Sequence, residues 1–254
     1  MSTFRMMRTV WSAAGLGLSL LLPATVEAQR RGMPEFEPNV AYDGRLTFVR
    51  IKYTVPDLSG YRRDLPWSHD YPRGERHFTK IVSEISTTRV RVTASNILTL
   101  DDPDLGKYPI AYMAEAGFWR PSDAEVVGLR NYLNKGGFII FDDFAGEHWM
   151  NFEAQMRRVF PQSRPVVLTT AHPIFDSFYR INSLDYAHPI YGMKSVFYGI
   201  FEDNDPSRRL LAIVNYNNDL SEYWEFSDVG MFPLDMSNEA YKLGVNYIIY
   251  ALTR

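Results

Sequence analysis

Hydrophobic and polar residues alternate along the chain with two periods, one typical of strands and one typical of helices. Leu46 to Tyr53 alternates and is rich in β-branched and aromatic residues, which predicts a strand. Glu75 to Ser86 carries apolar residues at the i, i+3, i+4 and i+7 spacing of one buried helical stripe. Val90 to Thr93 indicates a short strand, and the apolar run from Pro109 to Ala114 predicts a buried one.

A helix and the strand that follows it form the best specified unit of the sequence. Ser122 at the helix N-cap and Glu125 three residues later form a capping box, in which each side chain accepts a backbone N–H hydrogen bond. Gly136 and Gly137 then end the helix in the left-handed conformation that glycine favours. Phe138 to Phe141 predicts the next strand, which is continuously apolar.

The remaining elements continue this alternation and then depart from it. An apolar stripe ending at Phe160 predicts a helix, and Val166 to Leu168 predicts a short strand. Val196 to Phe201 and Arg209 to Asn215 predict two strands joined as a hairpin by a turn-rich acidic connection. A last helix is predicted from about Asn238 to Leu252. The fold class is therefore α/β, with a mostly parallel sheet flanked by helices and extra C-terminal β-strands.

The N-terminal residues have the order of an export signal. Arg5 and Arg8 precede an apolar run from Val10 to Leu22, which is shorter than the roughly 20 apolar residues that a membrane span needs. Val26 and Ala28 place small residues at positions −3 and −1 of a cleavage site. We therefore predict an exported protein, periplasmic or extracellular, with no membrane span in the mature chain. An uncleaved N-terminal anchor is the alternative.

Three parts of the chain follow from this pattern. Residues 1–28 are predicted to be the signal peptide, residues 29–43 a flexible linker and residues 44–254 a single domain. The linker prediction depends on its many charged residues, prolines and glycines, because such a segment buries too little apolar surface to offset the entropy of ordering.

Composition limits the chemistry. The 254 residues carry 27 basic and 30 acidic side chains, so no broad cationic surface is available to a nucleic acid. The chain has no cysteine, which excludes a thiol nucleophile, a thiolate zinc site, an iron–sulfur cluster and a disulfide scaffold. The HExxH, EF-hand and P-loop motifs are also absent, so no strong motif requires a cofactor, although a divalent cation is compatible with the acidic residues.

Short sequence phrases occur in a fixed order between about Arg45 and Thr253. They include Trp67, Asp70-Tyr71-Pro72, Tyr112-Met113, Gly136-Gly137-Phe138, Asp142-Asp143, His172-Pro173, Asn218-Asp219-Leu220, Trp224-Glu225 and Leu243-Gly244. This ordered set resembles the uncharacterised DUF4159 family. The resemblance implies a class I glutamine amidotransferase-like, flavodoxin-like fold. Catalytic proteins of that fold use a cysteine after a strand, and this chain has none, so their chemistry does not carry over.

Acidic residues follow two of the predicted strands. Glu115 follows the strand ending at Ala114, and Asp142 and Asp143 follow the strand ending at Phe141. If these strands are parallel and adjacent, the acids emerge at one edge of the sheet, where ligands of such folds bind. Neighbouring carboxylates raise one another's pKa, as general acid–base catalysis needs, or bind a hard cation. Asp142 and Asp143 share a pocket only if the strand ends before them, and otherwise one of them caps the next helix.

The candidate ligand pocket joins these acids to residues from three other regions. Trp67, His69, Asp70 and Tyr71 suggest an aromatic and polar wall for a sugar, or alternatively core packing. His172 is a loop histidine, and the pocket's C-terminal members enter through the resemblance. The full candidate set is Glu115, Asp142, Asp143, Trp67, Asp70, His172, Asn218, Asp219 and Glu225, with Asp142, Asp143, Glu147 and His148 as weak metal candidates.

Three functions remain open at this point. The first is an exported ligand-binding or interaction module of the cell envelope, with a glycan or protein partner. The second is a hydrolase of carbohydrate or another envelope polymer, in which two carboxyl groups lie about 5 Å or 6.5–9.5 Å apart. The third is a scaffold without a small-molecule site. No residue is assigned a catalytic role.

Overall fold

The computed structural model of the chain describes residues 36–55 and 65–254. The predicted signal peptide lies outside these residues. Within them, a seven-stranded sheet has the order β2-β1-β3-β4-β7-β6-β5. The strands are β1 (Val49–Ile51), β2 (Asn96–Leu98), β3 (Ile110–Ala114), β4 (Phe138–Phe144), β5 (Val166–Val167), β6 (Val196–Phe201) and β7 (Leu210–Tyr216). The α-helices are α1 (Arg73–Ile85), α2 (Asp123–Asn134), α3 (His148–Val159), α4 (Leu220–Glu225) and α5 (Leu234–Thr253).

Most of the sheet is parallel. Strands β2, β1, β3, β4 and β7 run in one direction, whereas β6 runs antiparallel to β7 and β5 runs antiparallel to β6. The predicted α/β class, the mostly parallel sheet and the C-terminal hairpin are confirmed. The strand predicted at Val90 to Thr93 is reduced to an isolated bridge between Leu46 and Val90, and the edge strand is β2 instead.

Helices cover both faces of the sheet, which explains the continuous apolar strands. Ile139 and Phe141 of β4 belong to a core formed with α2 and α3, whereas Phe138 and Ile140 belong to a second core formed with α1, α4 and α5. Successive residues of a strand point to opposite faces, so a strand between two cores is apolar throughout. The sheet is therefore the middle layer of three.

Local sequence signals predicted the start of α2 correctly but not the start of α5. The capping box of α2 is present, with Ser122 Oγ accepting from the Glu125 N–H and the Glu125 carboxylate accepting from the Ser122 N–H. Helix α5 begins at Leu234 and not at the predicted Asn238. Its first residues, Leu234 and Asp235, are exposed, so they do not belong to the buried stripe from which the helix was predicted. Helix α4 was not predicted, since its six residues are too few to show a helical period.

The described part of the predicted linker contacts the domain. The ring of Phe36 lies 4.8 Å from that of Trp67, and the backbone of Val40 exchanges two hydrogen bonds with the side chain of Asn96, at 2.8 and 3.0 Å. Among the described residues, no helix is both long and apolar enough to cross a bilayer.

A buried ion pair joins β1 to α1. Arg50 of β1 is fully buried and binds the Glu75 carboxylate through two nitrogens, at 2.8 and 3.1 Å. A third guanidinium nitrogen donates to the carbonyl oxygen of Trp67 at 3.1 Å, and the guanidinium carbon lies 5.2 Å from the centre of the Tyr112 ring. The pair thus ties β1 and α1 to the segment that leads to the candidate site.

Glu75→Gln is expected to destabilise the domain strongly, because it leaves the buried charge of Arg50 without its counter-charge. The expected loss of unfolding free energy is about 3–5 kcal/mol, measured by urea denaturation. The matched control is Glu84→Gln on the exposed side of the same helix, where Glu84 pairs with Lys80. Its expected cost is about 0.5 kcal/mol or less. Equal losses in the two variants would contradict the importance of the buried pair.

Candidate functional site

The acidic residues predicted to share an edge of the sheet do so. Strands β3 and β4 are adjacent and parallel, with Ala114 opposite Asp142, and the Glu115 N–H donates to the Asp142 carbonyl oxygen at 3.1 Å. The edge includes the point where the strand order reverses, because the chain runs from β1 outward to β2 and then returns to β3 on the other side. Ligands of open α/β sheets bind at such a point.

Three acidic residues at this edge have left-handed backbone conformations. The φ angles are 63° at Asp70, 48° at Glu115 and 57° at Asp143. This region is unfavourable for residues with a Cβ, and such strain concentrates at functional sites. The Tyr53 hydroxyl, which donates to the carbonyl oxygens of Ala114 and Glu115 at 3.0 and 2.6 Å, helps to hold the turn at Glu115.

Asp142 is a structural carboxylate. It is fully buried, and its two oxygens accept four hydrogen bonds. Burial raises its pKa to about 6, although the donated hydrogen bonds oppose the rise. With these bonds made, Asp142 anchors the first turn of α4. Among the described residues, the groups of side chains spaced to hold a metal ion do not include it. The donors are the Tyr112 hydroxyl (3.0 Å), Asn215 Nδ2 (2.9 Å) and the N–H groups of Leu220 (3.0 Å) and Ser221 (3.3 Å).

Asp143 faces a different set of partners, although β4 continues to Phe144. The pairing of β4 with β7 is irregular between Phe141 and Phe144, and the left-handed Asp143 lies within this irregularity. A local bulge re-aims a side chain out of the strand's alternation. Asp142 and Asp143 are therefore neighbours in β4 with different roles. Asp142 is hydrogen-bonded within the fold, whereas Asp143 contacts His69 at this edge of the sheet.

A histidine and two carboxylates meet at the open side of this edge. His69 Nδ1 lies 3.2 Å from Asp143 Oδ2 and 3.5 Å from Glu115 Oε1. One ligand atom from each of the three side chains lies within 4.8 Å of the others. His69 is 28% exposed and Glu115 15%, so solvent reaches the group. On the far side, His148 Nδ1 lies 3.7 Å from Glu115 Oε2. We call His69, Glu115 and Asp143 the edge cluster.

A second group lies deeper and shares Asp143 with the edge cluster. One ligand atom each from Asp143, His188 and Asp219 lies within 4.8 Å of the others, and all three residues are buried. Burial raises the pKa of Asp143, with Glu115 as the largest neighbouring charge, and burial together with the charge of Asp143 raises the pKa of Asp219. Asp219 Oδ1 also caps α4 by accepting from the Glu222 N–H at 2.9 Å.

A third group of acids borders the edge cluster. Asp70, Glu222 and Glu225 each offer an oxygen within 4.8 Å of the others, and the hydroxyl of Ser221 donates to Asp70 Oδ2. Burial and the neighbouring Asp70 raise the pKa of Glu222 to about 7. The predicted residues Asp70 and Glu225 thus lie next to the edge cluster without belonging to it.

The structure separates the other predicted residues from the edge cluster. Trp67 is 2% exposed, so its ring packs in the core and is not available to stack on a sugar. His172 lies at the opposite edge of the sheet, with its ring 5.7 Å from that of Phe201 and beside a surface pocket of about 510 Å³. Glu147 is exposed at the start of α3. Asn218 precedes Asp219 and accepts its N–H hydrogen bond.

His188 and Tyr112 were not predicted to lie at the site, and His69 was expected only as part of the aromatic and polar wall, without its contacts to Asp143 and Glu115. His69 and Asp143 are 74 positions apart, and only the topology brings them together. His188 is part of a His-Pro dipeptide that looks like an ordinary turn. Tyr112 was assigned to a buried apolar strand, and its hydroxyl reaches Asp142 because β3 and β4 are neighbours.

Comparison with known proteins assigns the family. The family model described as Domain of unknown function (DUF4159) matches residues 47–252. The chain belongs to the DUF4159 family. A search of the curated proteins found no match. The predicted resemblance is confirmed, and the DUF4159 description assigns no activity to the edge cluster.

Asp142→Ala is expected to destabilise this DUF4159 domain by about 3–5 kcal/mol, because four buried donors lose their acceptor. Urea denaturation measures the change. The control is Asp235→Ala, at an exposed position in the first turn of α5, with an expected cost below about 1 kcal/mol. A loss no larger than that of the control would show that Asp142 does not anchor α4.

The raised pKa of Glu222 predicts a pH dependence of stability. Its pKa of about 7 in the fold exceeds the ordinary value of 4.5, so its contribution is full below pH 4.5 and is lost as the pH rises to 7. Glu222→Gln is therefore expected to make the fall in melting temperature between pH 4.5 and pH 7 shallower. The comparison is made with chelator present, and Glu84→Gln is expected to follow the wild-type curve. Parallel curves for Glu222→Gln and the wild type would refute the assignment.

Proposed function

We propose that this DUF4159 domain is an exported ligand-binding or interaction module of the cell envelope, with a divalent metal ion held by the edge cluster. The observation that carries the proposal is the meeting of His69, Glu115 and Asp143, from three separate segments, with ligand atoms within 4.8 Å of one another. The cluster lies at the reversal of strand order, where a ligand is expected in this kind of sheet.

The donor set indicates which metal ions fit. One imidazole nitrogen and two carboxylates suit Zn²⁺, Mn²⁺ or Fe²⁺ better than Ca²⁺, which prefers an all-oxygen shell of six to eight ligands. Three protein ligands leave coordination positions for an external molecule. Because His69 and Glu115 are partly exposed, such a molecule has access from solvent. Sugar hydroxyls or another oxygen donor of an envelope glycan match this chemistry.

The finer fold assignment belongs to the same proposal. In chain order the five mutually parallel strands are β1, β2, β3, β4 and β7, and they lie in the sheet order 2-1-3-4-5. That order is the flavodoxin-like one, in which the ligand binds at the β1/β3 reversal. It supports a glutamine amidotransferase-like ancestry. Without a cysteine, the site depends on carboxylates and histidine.

Hydrolysis of carbohydrate or another envelope polymer is the second candidate, favoured by the close carboxyl groups of Glu115 and Asp143. Retaining glycosidases hold two carboxyl groups about 5–5.5 Å apart. The raised pKa of Asp143 would suit a general acid, and the more exposed Glu115 would suit a nucleophile. His69 Nδ1 lies 3.2 Å from Asp143 Oδ2 and 3.5 Å from Glu115 Oε1, and an imidazole nitrogen this close to both carboxyl groups favours a shared cation. Release of soluble sugars from envelope polymers would favour the hydrolase.

The metal proposal predicts a thermal shift. At a concentration about 100 times its Kd, Zn²⁺ or Mn²⁺ is expected to raise the melting temperature of the domain by about 5–10 °C. His69→Gln and Glu115→Gln are expected to abolish the shift, because each removes one ligand. His172→Gln, at the opposite edge of the sheet, and the exposed Glu84→Gln are the matched controls and should retain it.

Failure would take one of two forms. If Zn²⁺, Mn²⁺, Mg²⁺ and Ca²⁺ all leave the melting temperature of the wild type unchanged, the result favours a scaffold without a small-molecule site. If a shift persists in both His69→Gln and Glu115→Gln, the ion binds elsewhere and the edge cluster is not the site.

A further inference from the structure

We propose that a groove along α3 binds a saccharide chain that carries carboxylate groups, with the ring of Trp149 as its stacking platform. This inference rests on the proposed function, because it names the class of envelope glycan that the domain binds. It assigns the sugar-stacking role to Trp149, since Trp67 is buried in the core.

The groove lies between one face of α3 and the loop that follows this helix. Trp149, Glu153 and Arg157 are spaced four residues apart and therefore form one stripe along α3. Residues 161–165 form the opposite wall, and the space has a volume of about 390 Å³, which is within the usual range of ligand pockets. The eight residues from Trp149 to Arg157 span about 12 Å, so the groove has the length for a chain and not only for one sugar.

Packing holds the Trp149 ring in place at one end of the groove. The ring centres of Tyr198, Tyr216 and Phe152 lie 4.5, 4.9 and 5.5 Å from that of Trp149. Trp149 is nevertheless only half-buried, and it lines the groove. A ring that is already fixed by its neighbours loses little entropy when a ligand stacks on it, so this ring is a preorganised platform.

Two polar atoms of this aromatic group are open to a ligand. Among the described residues, neither the indole N–H of Trp149 nor the hydroxyl of Tyr198 has a hydrogen-bond partner, and neither atom is buried. The Tyr216 hydroxyl, in contrast, donates to the Gly146 carbonyl oxygen at 2.9 Å. Val167, directly opposite Tyr198 in β5, is 57% exposed, so the sheet face beside Tyr198 is uncovered. Rings with free hydrogen-bonding groups beside them suit a sugar, which has both apolar faces and hydroxyls.

The charges of the groove favour an anionic saccharide. Arg157 pairs with Glu153 at 3.0 Å, whereas the exposed guanidinium of Arg164 forms no ion pair within the described part of the chain. The groove thus has an unpaired cation, although the whole chain has a formal charge of −3. Guanidinium groups bind carboxylates through paired, charge-assisted hydrogen bonds. A saccharide with carboxylates therefore matches both the arginine and the aromatic platform.

The loop opposite α3 is held in place by the fold. Residues 161–165 begin and end with proline, which restricts the backbone. The Ser163 N–H donates to the Phe160 carbonyl oxygen at 2.9 Å, and the Arg164 N–H donates to Asn204 Oδ1 at 2.7 Å. Both walls of the groove are therefore formed before a ligand binds, which lowers the entropic cost of binding.

The groove begins beside the edge cluster. His148 directly precedes Trp149, and its Nδ1 lies 3.7 Å from Glu115 Oε2. The Trp149 end of the groove is therefore the end nearer to the proposed metal ligands. A chain held in the groove has one end close to the metal ion, whose open coordination positions accept oxygen atoms of the sugar.

Calorimetry of the full domain with chelator present tests the groove without the metal ion. The probe is oligogalacturonate, an acidic saccharide, and the comparison is maltohexaose, a neutral one. The wild type is expected to bind the acidic probe at least about 10-fold more tightly. Arg164→Gln and Trp149→Phe are each expected to weaken this binding about 10-fold. The first removes the charge-assisted hydrogen bonds, and the second removes the indole N–H and part of the stacking surface.

Matched controls separate the groove from general effects of substitution. Arg89→Gln removes an exposed arginine that does not line the groove, and Met150→Ala changes an exposed residue next to Trp149 that also does not line it. Both variants are expected to bind the probe as the wild type does. Because Arg164 is exposed, Arg164→Gln is expected to melt at the wild-type temperature and stays decisive if Trp149→Phe is destabilised.

Three results would overturn the inference. They are no binding of oligogalacturonate by the wild type, unchanged binding in Arg164→Gln, and equally tight binding of maltohexaose or poly-L-glutamate. A wild type that shows the metal-dependent thermal shift but binds no saccharide refutes the groove alone. A wild type that binds the saccharide but shows no thermal shift with metal ions refutes the metal site alone.

Discussion

The buried carboxylate of Asp142 is the interaction on which the candidate site depends. It lies within the buried strand β4 and accepts hydrogen bonds from β3, from β7 and from the first turn of α4. A buried charge persists only when its hydrogen-bonding capacity is met, so these elements must meet at one point. The Asn215 oxygen then accepts from Tyr247 of α5, which extends the same network to the last helix.

This arrangement gives two neighbouring acids different tasks. The carboxylate of Asp142 is hydrogen-bonded within the fold and anchors the first turn of α4. That turn begins directly after Asp219, which caps the same helix. Asp143 is turned by its left-handed backbone towards His69 and Glu115. The energetic cost of that conformation is met by the surrounding network, which is how functional sites retain strained residues. The edge cluster is therefore a preorganised group with access to solvent on one side and a rigid buried support on the other.

Predictions from the sequence succeeded where the physical signal is local. The capping box at Ser122 and Glu125 needs only a four-residue spacing, and the apolar strands β3 and β4 need only their own side chains. The shared acidic edge followed from one general rule about parallel strands. The division of labour between Asp142 and Asp143 was not predictable, because it depends on a φ angle set by tertiary contacts. His188 joins the site only through topology, and the sequence left open whether Trp67 stacks on a ligand or packs in the core, which its burial decides in favour of the core.

The claim that the edge cluster holds a metal ion is tested most directly by anomalous diffraction from crystals of the domain grown with Mn²⁺ or Zn²⁺. One anomalous peak is expected within coordination distance of His69 Nδ1, Asp143 Oδ2 and a Glu115 oxygen. A map without a peak at the edge cluster, in crystals shown by spectroscopy to contain the ion, would contradict it.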